Sequence, residues 1–231
     1  MLQSANSLPV VPLKPAPWDL QGQGWVIALK LPANSPAQNA FLPPELVGKG
    51  KPGLSLLMFV DYAQSACGPY RELLFIPGTF AFADGRRHMT ISRILVSTWD
   101  SVVNGRKNWG IPKDRADFNV DYNVNGSGED QIQLHNDGRN FVELRLKSWP
   151  FSLPVHSGVV PASLRTLAQC SGDHTFLYTP SSHGWVRPGR LLSWRFDATL
   201  FPDLAKARII AAIKISSFHM SFPVAQILPG N

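Results

Sequence analysis

The chain has 231 residues, of which 44% are hydrophobic and only 16% are charged, with 18 glycines and 20 prolines. The apolar content excludes a disordered chain, and the lack of any glycine or proline period excludes a collagen-like fibre. The 22 lysines and arginines exceed the 16 acidic residues by six, but they are scattered along the chain and do not predict a nucleic-acid partner.

The chain's cysteines and its first residues carry few signals of location. Cys67 and Cys170 are too few for a disulfide framework and lack the spacing of zinc ligands. The N-terminus resembles no signal peptide, and the longest apolar run, Leu54–Val60, is too short to span a membrane. We therefore expect a cytoplasmic protein without a membrane, metal or cofactor partner. The low share of charged residues leaves room for a subunit interface, and we expect a homo-oligomer.

In chain order, the first segment is an arm. Residues 1–17 contain four prolines, which predict an extended strap, and residues 18–231 show no linker and are predicted to form a single domain. Beyond Trp18, short apolar runs alternate with turn residues, the rhythm of strands. The predicted strands are Gly24–Leu31, Leu54–Tyr62, Arg71–Ile76, His88–Ser97, Ala116–Val124, Gln131–Leu134, Phe141–Leu146, Thr175–Tyr178, Leu191–Phe196 and Arg208–His219.

Turn and helix signals complete the expected fold. Asn125-Gly126 and Asp137-Gly138 are typical of turns between antiparallel strands. Ser97–Asp100 has the form of a capping box, and Asn104-Gly105 is expected to end that helix. The segments Pro161–Gln169 and Asp203–Lys206 each predict a short helix. The fold class is therefore mainly antiparallel β, a closed or strongly curved sheet system with a few short helices.

One lysine stands where a helix and a glycine- and proline-containing turn lead into a strand. In an extended strand, Lys113 shares a face with Ile111, whereas Asp114 points the other way. A lysine facing an apolar interior has a lowered pKa, and its free amine is able to attack a ketone and form a Schiff base. From spacing alone, the alternative is a surface lysine that follows a turn, because lysine is rarely buried.

Two short motifs resemble those of the acetoacetate decarboxylase family. The segment Gly105–Lys113, GRKNWGIPK, resembles the segment around that family's Schiff-base lysine, and Gly68–Glu72, GPYRE, resembles the one that supplies an active-site acid. The resemblance extends over about residues 20–225 and is nearest to divergent, often fungal, relatives. It implies a cone-like β-barrel with the lysine inside, an oligomer, Lys113 as the Schiff-base lysine and Glu72 as the acid.

Three positions depart from the family pattern. Asp114 replaces the second lysine, although a neighbouring cation is one device that lowers the pKa of such an amine, with this decarboxylase as the established example. Leu57 stands where a second carboxylate is expected, and Asp61 is the nearest acid. No arginine occurs around residues 21–25, where the family holds the substrate carboxylate. Acetoacetate itself is therefore not the expected substrate.

The resemblance implies a lyase of the decarboxylase kind, which acts on a keto acid or a bulkier carbonyl compound through Lys113. Related aldol, dehydration or cyclisation chemistry on a larger metabolite, or a non-catalytic binding protein, are the alternatives. Tyr70, Trp109 and Asp61 are candidate substrate-binding residues. Arg106 either fixes the turn or reaches a substrate anion.

Two further readings bear on this site. Glu72 alternatively forms a solvated pair with its neighbour Arg71. The stripe Phe218, Met220 and Phe222 alternates at period two and predicts core or cavity lining, which suits a larger and more apolar substrate.

Overall fold

A computed structural model describes residues 8–230, and β-structure dominates it. The strands in chain order are β1 (Trp18–Lys30), β2 (Gly50–Lys51), β3 (Leu54–Gln64), β4 (Tyr70–Ile76), β5 (Thr79–Ala81), β6 (Arg87–Met89), β7 (Arg93–Val96), β8 (Lys113–Arg115), β9 (Asp117–Asp121), β10 (Glu129–Asn136), β11 (Arg139–Ser148), β12 (Leu153–His156), β13 (Leu167–Ser171), β14 (His174–Tyr178), β15 (Ser181–Phe196), β16 (Arg208–Phe222) and β17 (Gln226–Pro229). The helices are α1 (Trp99–Trp109) and α2 (Ala162–Arg165), and single 3-10 turns occupy Pro36–Gln38, Pro44–Leu46, Val124–Gly126 and Ser157–Val159. None of the helices described is long and apolar enough to cross a membrane.

The strands form two sheets. The larger has eleven strands in the order β8-β7-β4-β3-β1-β16-β15-β11-β10-β9, with β12 paired to β15, and the smaller has the order β17-β14-β13-β6-β5-β2. Pairing is antiparallel except between β7 and β8 and between β6 and β13. The prediction of a mainly antiparallel β fold with few helices is therefore confirmed.

The prediction of a closed or strongly curved barrel is wrong. The larger sheet is open, since its hydrogen-bonded path begins at β8 and ends at β9 and no ladder of the described residues joins these two strands. Each ladder at the ends is short, with three residue pairs between β7 and β8 and five between β9 and β10. Alternation and turn residues predict which neighbours pair, but they do not encode whether the first and last strands of a sheet meet.

Alternating residues of the central strands supply two separate cores. On β3, Leu57 and Phe59 belong to one buried cluster, whereas Val60 and Tyr62 belong to the other. This period of two follows from the pleat, which sends successive side chains to opposite faces of a strand. The second cluster contains Trp109 of α1, and it is the one that surrounds the candidate site.

Helix α1 is longer than the sequence predicts. Thr98 caps its start by accepting a hydrogen bond from the Ser101 amide, one residue later than the capping box Ser97–Asp100 predicts, and Ser97 Oγ accepts from the Arg71 amide instead. The helix then continues past Gly105 to Trp109 and ends at Gly110, whose φ of 62° is the left-handed conformation typical of a helix end. The predicted end at Asn104-Gly105 is therefore wrong, and the reason for a glycine inside the helix lies in the site described below.

The part of the proline-rich arm that the structure describes lies against this helix. The Lys14 amide donates a hydrogen bond to Asn104 Oδ1, and Asn108 Nδ2 donates to the Lys14 carbonyl. Residues 8–17 contain no strand, and residues 1–7 of the predicted arm lie outside the described residues. The division into an arm and one domain stays a prediction.

Candidate active site

Lys113 is held inside the protein by the helix and strand on either side of it. Between the left-handed Gly110 and the first residue of β8 lie only Ile111 and Pro112, so the chain turns sharply from helix to strand. Lys113 pairs with Ile94 on β7 and is 3% exposed. The sequence interpretation of Lys113 as a surface residue is therefore excluded.

The Lys113 amine contacts one carboxylate and one hydroxyl. Its Nζ donates to Glu72 Oε2 at 2.7 Å and to Ser101 Oγ at 3.1 Å. The same nitrogen lies 5.1 Å from the centroid of the Tyr70 ring. Glu72 is 4% exposed, and its other oxygen, Oε1, accepts a hydrogen bond from the Tyr62 hydroxyl at 3.4 Å. The two motif residues thus form one buried ion pair, and Glu72 is not a solvated partner of Arg71.

The pKa of Lys113 differs from the one that the sequence predicts. Burial alone lowers the pKa of Lys113, but the Glu72 carboxylate and Tyr70 outweigh burial, so the pKa of the amine is raised. The expectation of a lowered pKa is therefore wrong, because it considered an apolar interior without the acid beside the amine. Burial also raises the pKa of Tyr70 to about 12, which Lys113 only partly offsets. At neutral pH the Lys113 amine is therefore an ammonium, and the phenols of Tyr62 and Tyr70 are neutral.

Gly105 leaves space for the lysine side chain. A Cβ atom at this position of α1 would lie 2.7 Å from Lys113 Cδ and 2.8 Å from Cε. Glycine inside a helix costs about 1 kcal/mol relative to alanine. The close approach of the lysine side chain therefore accounts for a glycine inside α1, at the position where the sequence predicts the helix to end.

An apolar cavity of about 660 Å³ opens over the ion pair. Tyr62, Tyr70 and Glu72 line it together with Lys113, and Trp109 of α1 forms part of its wall. Trp109 is itself fixed, since its Nε1 donates to the Pro223 carbonyl at 2.7 Å. Most of the remaining lining is aliphatic or aromatic: Trp18, Leu20, Leu56, Met58, Val60, Leu74, Ile76, Met89, Ile91, Ile94, Ile111, Leu167, Met220 and Phe222. The predicted lining role of the C-terminal stripe therefore holds for Met220 and Phe222.

Asp114 occupies the opposite face of β8, as alternation predicts. It is 4% exposed and forms ion pairs with Arg93 and with Arg106, whose Nη2 lies 2.8 Å from Asp114 Oδ1. Arg106 Nε also donates to the Lys113 carbonyl at 2.8 Å. Arg106 is absent from the cavity lining, so the structure supports its role in fixing the turn rather than in reaching a substrate anion.

The replacements considered for the second family carboxylate do not reach the cavity. Leu57 is buried in the other core cluster. Asp61 also faces away from the cavity and interacts with Arg71 Nε at 3.3 Å and with the Tyr122 hydroxyl at 2.6 Å. Asp61 is therefore not placed to bind a ligand beside Lys113.

Two residues at the site were missed by sequence reasoning, Tyr62 and Ser101. The sequence did indicate Tyr62, which lies two residues after Val60 and four after Met58 and therefore shares their face of a strand. In the structure, Tyr62 pairs with Tyr70 on β4. Ser101 had none beyond its place on the first turn of α1. The described residues include no group of three or more His, Cys, Asp or Glu side chains arranged to hold a metal ion.

Comparison with solved structures places the fold. The chain matches an acetoacetate decarboxylase from Legionella pneumophila with a TM-score of 0.67 and 13% identity, over 96% of this chain and 92% of that one. An acetoacetate decarboxylase-like enzyme from Sphingomonas wittichii matches with a TM-score of 0.68 and 16% identity, over 95% of both chains. The chain therefore has the fold of acetoacetate decarboxylase-like enzymes, as the motifs predict.

A third structure with this fold carries a bound carbonyl-derived ligand. The enduracididine biosynthesis enzyme MppR, solved with the condensation product of pyruvate and imidazole 4-carboxaldehyde, matches with a TM-score of 0.63 and 18% identity, over 94% of this chain and 91% of that one. No family model and no curated protein matches the sequence. Nothing among these matches supports the expected likeness to fungal relatives.

Proposed function

We propose that the protein is a Schiff-base-forming lyase that acts on a carbonyl compound through Lys113. One observation carries the proposal: a buried lysine amine lies 2.7 Å from a buried carboxylate at an apolar cavity. A structural ion pair does not require a cavity beside it, and buried ion pairs on their own add little stability. The likeness to acetoacetate decarboxylases in fold, together with the matched motif positions of Lys113 and Glu72, supports the same conclusion.

The contacts suggest how the reaction begins. Glu72 takes one proton from the Lys113 ammonium, and the neutral amine attacks the substrate carbonyl carbon to give a carbinolamine. Glu72 then returns its proton to the carbinolamine hydroxyl, which leaves as water and gives an iminium cation on Lys113. The regenerated Glu72 carboxylate balances the charge of this cation. Ser101 Oγ, 3.1 Å from Nζ, orients the amine during this exchange.

The iminium group accepts the electron pair of the bond that breaks. In a decarboxylation, the pair from the bond to the departing carbon dioxide moves onto the iminium nitrogen and leaves a neutral enamine. A proton then returns to carbon, and water hydrolyses the regenerated iminium to release product and amine. Glu72 is the acid nearest the amine and is proposed to exchange these protons.

The same intermediate supports aldol, dehydration or cyclisation chemistry on a larger carbonyl compound. Among the described lining residues, no cation other than Lys113 pairs with Glu72. A substrate carboxylate next to the reacting carbon would therefore lie near Glu72 and not near an arginine. This arrangement disfavours acetoacetate itself. The complex of MppR with a condensation product shows that a protein of this fold binds such a ligand, and it supports the alternative here.

A non-catalytic binding protein is the second candidate, and the raised pKa of Lys113 favours it. A protonated amine does not attack a carbonyl. The two candidates therefore differ in whether substrate binding moves the proton to Glu72. The expected homo-oligomer and cytoplasmic location remain predictions for either candidate.

Borohydride trapping tests the shared step. The protein is incubated with a panel of ketones, aldehydes and keto acids at pH 7 to 10 and reduced, and intact mass and peptide mapping locate any adduct. A substrate-dependent mass gain at Lys113, absent from Lys113→Met and retained in the exposed-lysine variant Lys107→Ala, is the expected result. Binding without any adduct at Lys113 across the panel would identify the non-catalytic candidate instead.

A further inference from the structure

The charged side chains that line the cavity leave one positive charge without an opposite charge among the lining residues. Lys113 and Glu72 neutralise each other at its buried part, and the remaining charged lining residue among those described is Arg165 on α2. Exposed residues mark the mouth of the cavity, including Leu54, which is 46% exposed, and Leu164, which is 58% exposed. Arg165 adjoins Leu164, so the unbalanced positive charge lies at the mouth.

The position of Arg165 is fixed by backbone contacts. Its Nε donates to the Val160 carbonyl at 2.9 Å, and its Nη1 donates to the Pro180 carbonyl at 2.6 Å. These contacts use two of the five guanidinium donors. None of the ion pairs among the described residues involves Arg165. The guanidinium is therefore held in place with donors left over, which is the arrangement that binds a carboxylate well.

We infer that the substrate is an elongated, mainly apolar carbonyl compound with a carboxylate at the end remote from its carbonyl group. The carboxylate binds Arg165 at the mouth, the apolar chain fills the cavity, and the carbonyl reaches Lys113. This inference rests on the proposed function. It also accounts for the missing arginine around residues 21–25, since the anionic group is recognised at the other end of the substrate.

Matched ligand pairs test the inference. Straight-chain keto acids with the carbonyl one to about ten carbons from the carboxylate are compared with their methyl esters, and the half-saturating concentration for trapping at Lys113 is measured. We expect the long keto acids to saturate at a concentration roughly tenfold lower than their esters, and the shortest acids to show no such preference. Arg165→Gln removes the preference, whereas Arg190→Gln, which changes an exposed arginine outside the cavity, retains it.

A ligand without a carbonyl separates failure of the inference from failure of the proposed function. Binding of decanoate and of methyl decanoate is followed by the fluorescence of the lining residues Trp18 and Trp109. Arg165-dependent preference for decanoate supports the anion site even if no Schiff base forms. Equal saturation by acids and esters, with normal trapping at Lys113, overturns the inference and leaves the proposed function standing. Arg165→Lys, which keeps the charge but loses the planar fork, is expected to show an intermediate preference and serves if the glutamine variant misfolds.

Discussion

Lys113 and Asp114 are neighbours in the chain, yet each forms a buried ion pair on a different face of β8. The lysine amine lies 2.7 Å from Glu72 at the cavity, and the aspartate lies 2.8 Å from Arg106 on the far side. The strand backbone between them keeps the two pairs apart. The replacement of the family's second lysine by an acid therefore changes the surroundings of the turn more than those of the amine.

Replacing Lys113 by methionine is expected to destabilise the fold. The substitution leaves the Glu72 carboxylate buried without its cation, and breaking a buried pair in this way costs about 3 kcal/mol. The double variant Lys113→Met, Glu72→Gln is expected to recover most of that loss. Urea denaturation at pH 8 measures both. If Lys113→Met is as stable as the parent or more stable, the cost of burying the Lys113 amine exceeds the stabilisation that it gains from Glu72.

The same variants give a pH signature. The folded pKa of Lys113 is raised above the ordinary value of 10.5, so the folded state holds this proton more tightly than the unfolded state. Its contribution to stability is complete below that ordinary value and is lost as the pH rises through the folded pKa. The advantage of the parent over Lys113→Met should thus be constant from pH 8 to 9 and shrink above about pH 10.5. An advantage that grows with pH would contradict the raised pKa.

Replacing Glu72 by glutamine is expected to accelerate the first step and impair turnover. Without the carboxylate, burial is the largest influence on the Lys113 pKa and lowers it. Trapping at pH 7 should then be faster, by roughly tenfold for each unit that the pKa falls. Product formation should drop because the proposed proton carrier is gone. Glu143→Gln on β11 is the matched control, and unchanged trapping by Glu72→Gln would contradict the proposed role of the pair.

Gly105→Ala tests the space left for the lysine. The new methyl group would lie 2.7 Å from Lys113 Cδ, so the side chain must move away from Glu72. We expect trapping at Lys113 to fall at least tenfold, although alanine favours a helix by about 1 kcal/mol over glycine. Lys107→Ala, on the exposed side of α1, controls for the change in helix propensity. Full trapping by Gly105→Ala would show that the lysine position is adjustable.

Asp114→Asn separates stability from amine chemistry. The variant removes the carboxylate that pairs with Arg93 and Arg106 and leaves two cations facing one amide, at an expected cost of about 3 kcal/mol. Because Asp114 lies on the other face of β8, the pH dependence of trapping at Lys113 should keep its shape. A shift of that profile, measured under conditions where the variant remains folded, would show that Asp114 acts on the amine.

Sequence patterns predicted the placement of Lys113 and Glu72 better than they predicted the extent of the strands. Alternation placed Lys113 and Asp114 on opposite faces, and the two motifs selected the pair that the fold brings together. Strand β15 runs from Ser181 to Phe196, whereas only Leu191–Phe196 is predicted as a strand. The chain around Gly184 has a composition typical of loops, so the first part of the strand was not predicted. The pairing of β15 with β16 requires a glycine at position 184, because a Cβ there would lie 2.1 Å from the Ser217 carbonyl oxygen, a contact that no local pattern reveals.

Of the two short helices predicted in the C-terminal half, one is confirmed and the other is wrong. Pro161–Gln169 contains the four-residue α2, and its last three residues begin β13, whereas Asp203–Lys206 forms no helix. The end of Pro161–Gln169 is a strand and not a helix because β13 pairs with β14, which follows it in the chain. The raised pKa of Lys113 was likewise beyond reach of the sequence, because it depends on the 2.7 Å distance to a residue 41 positions earlier in the chain.

The short link between α1 and β8 has an evolutionary consequence. Only Gly110, Ile111 and Pro112 separate the helix from Lys113. The number of residues in this link therefore determines which side chains of β8 face the cavity and which face the opposite side. Inserting or deleting one residue would present the aspartate to the cavity and the lysine to Arg93 and Arg106. Substitutions in this link alter its fit, whereas a change in its length exchanges the charges at the site. Lineages that retain the amine are therefore expected to vary the residues of this link while keeping its length.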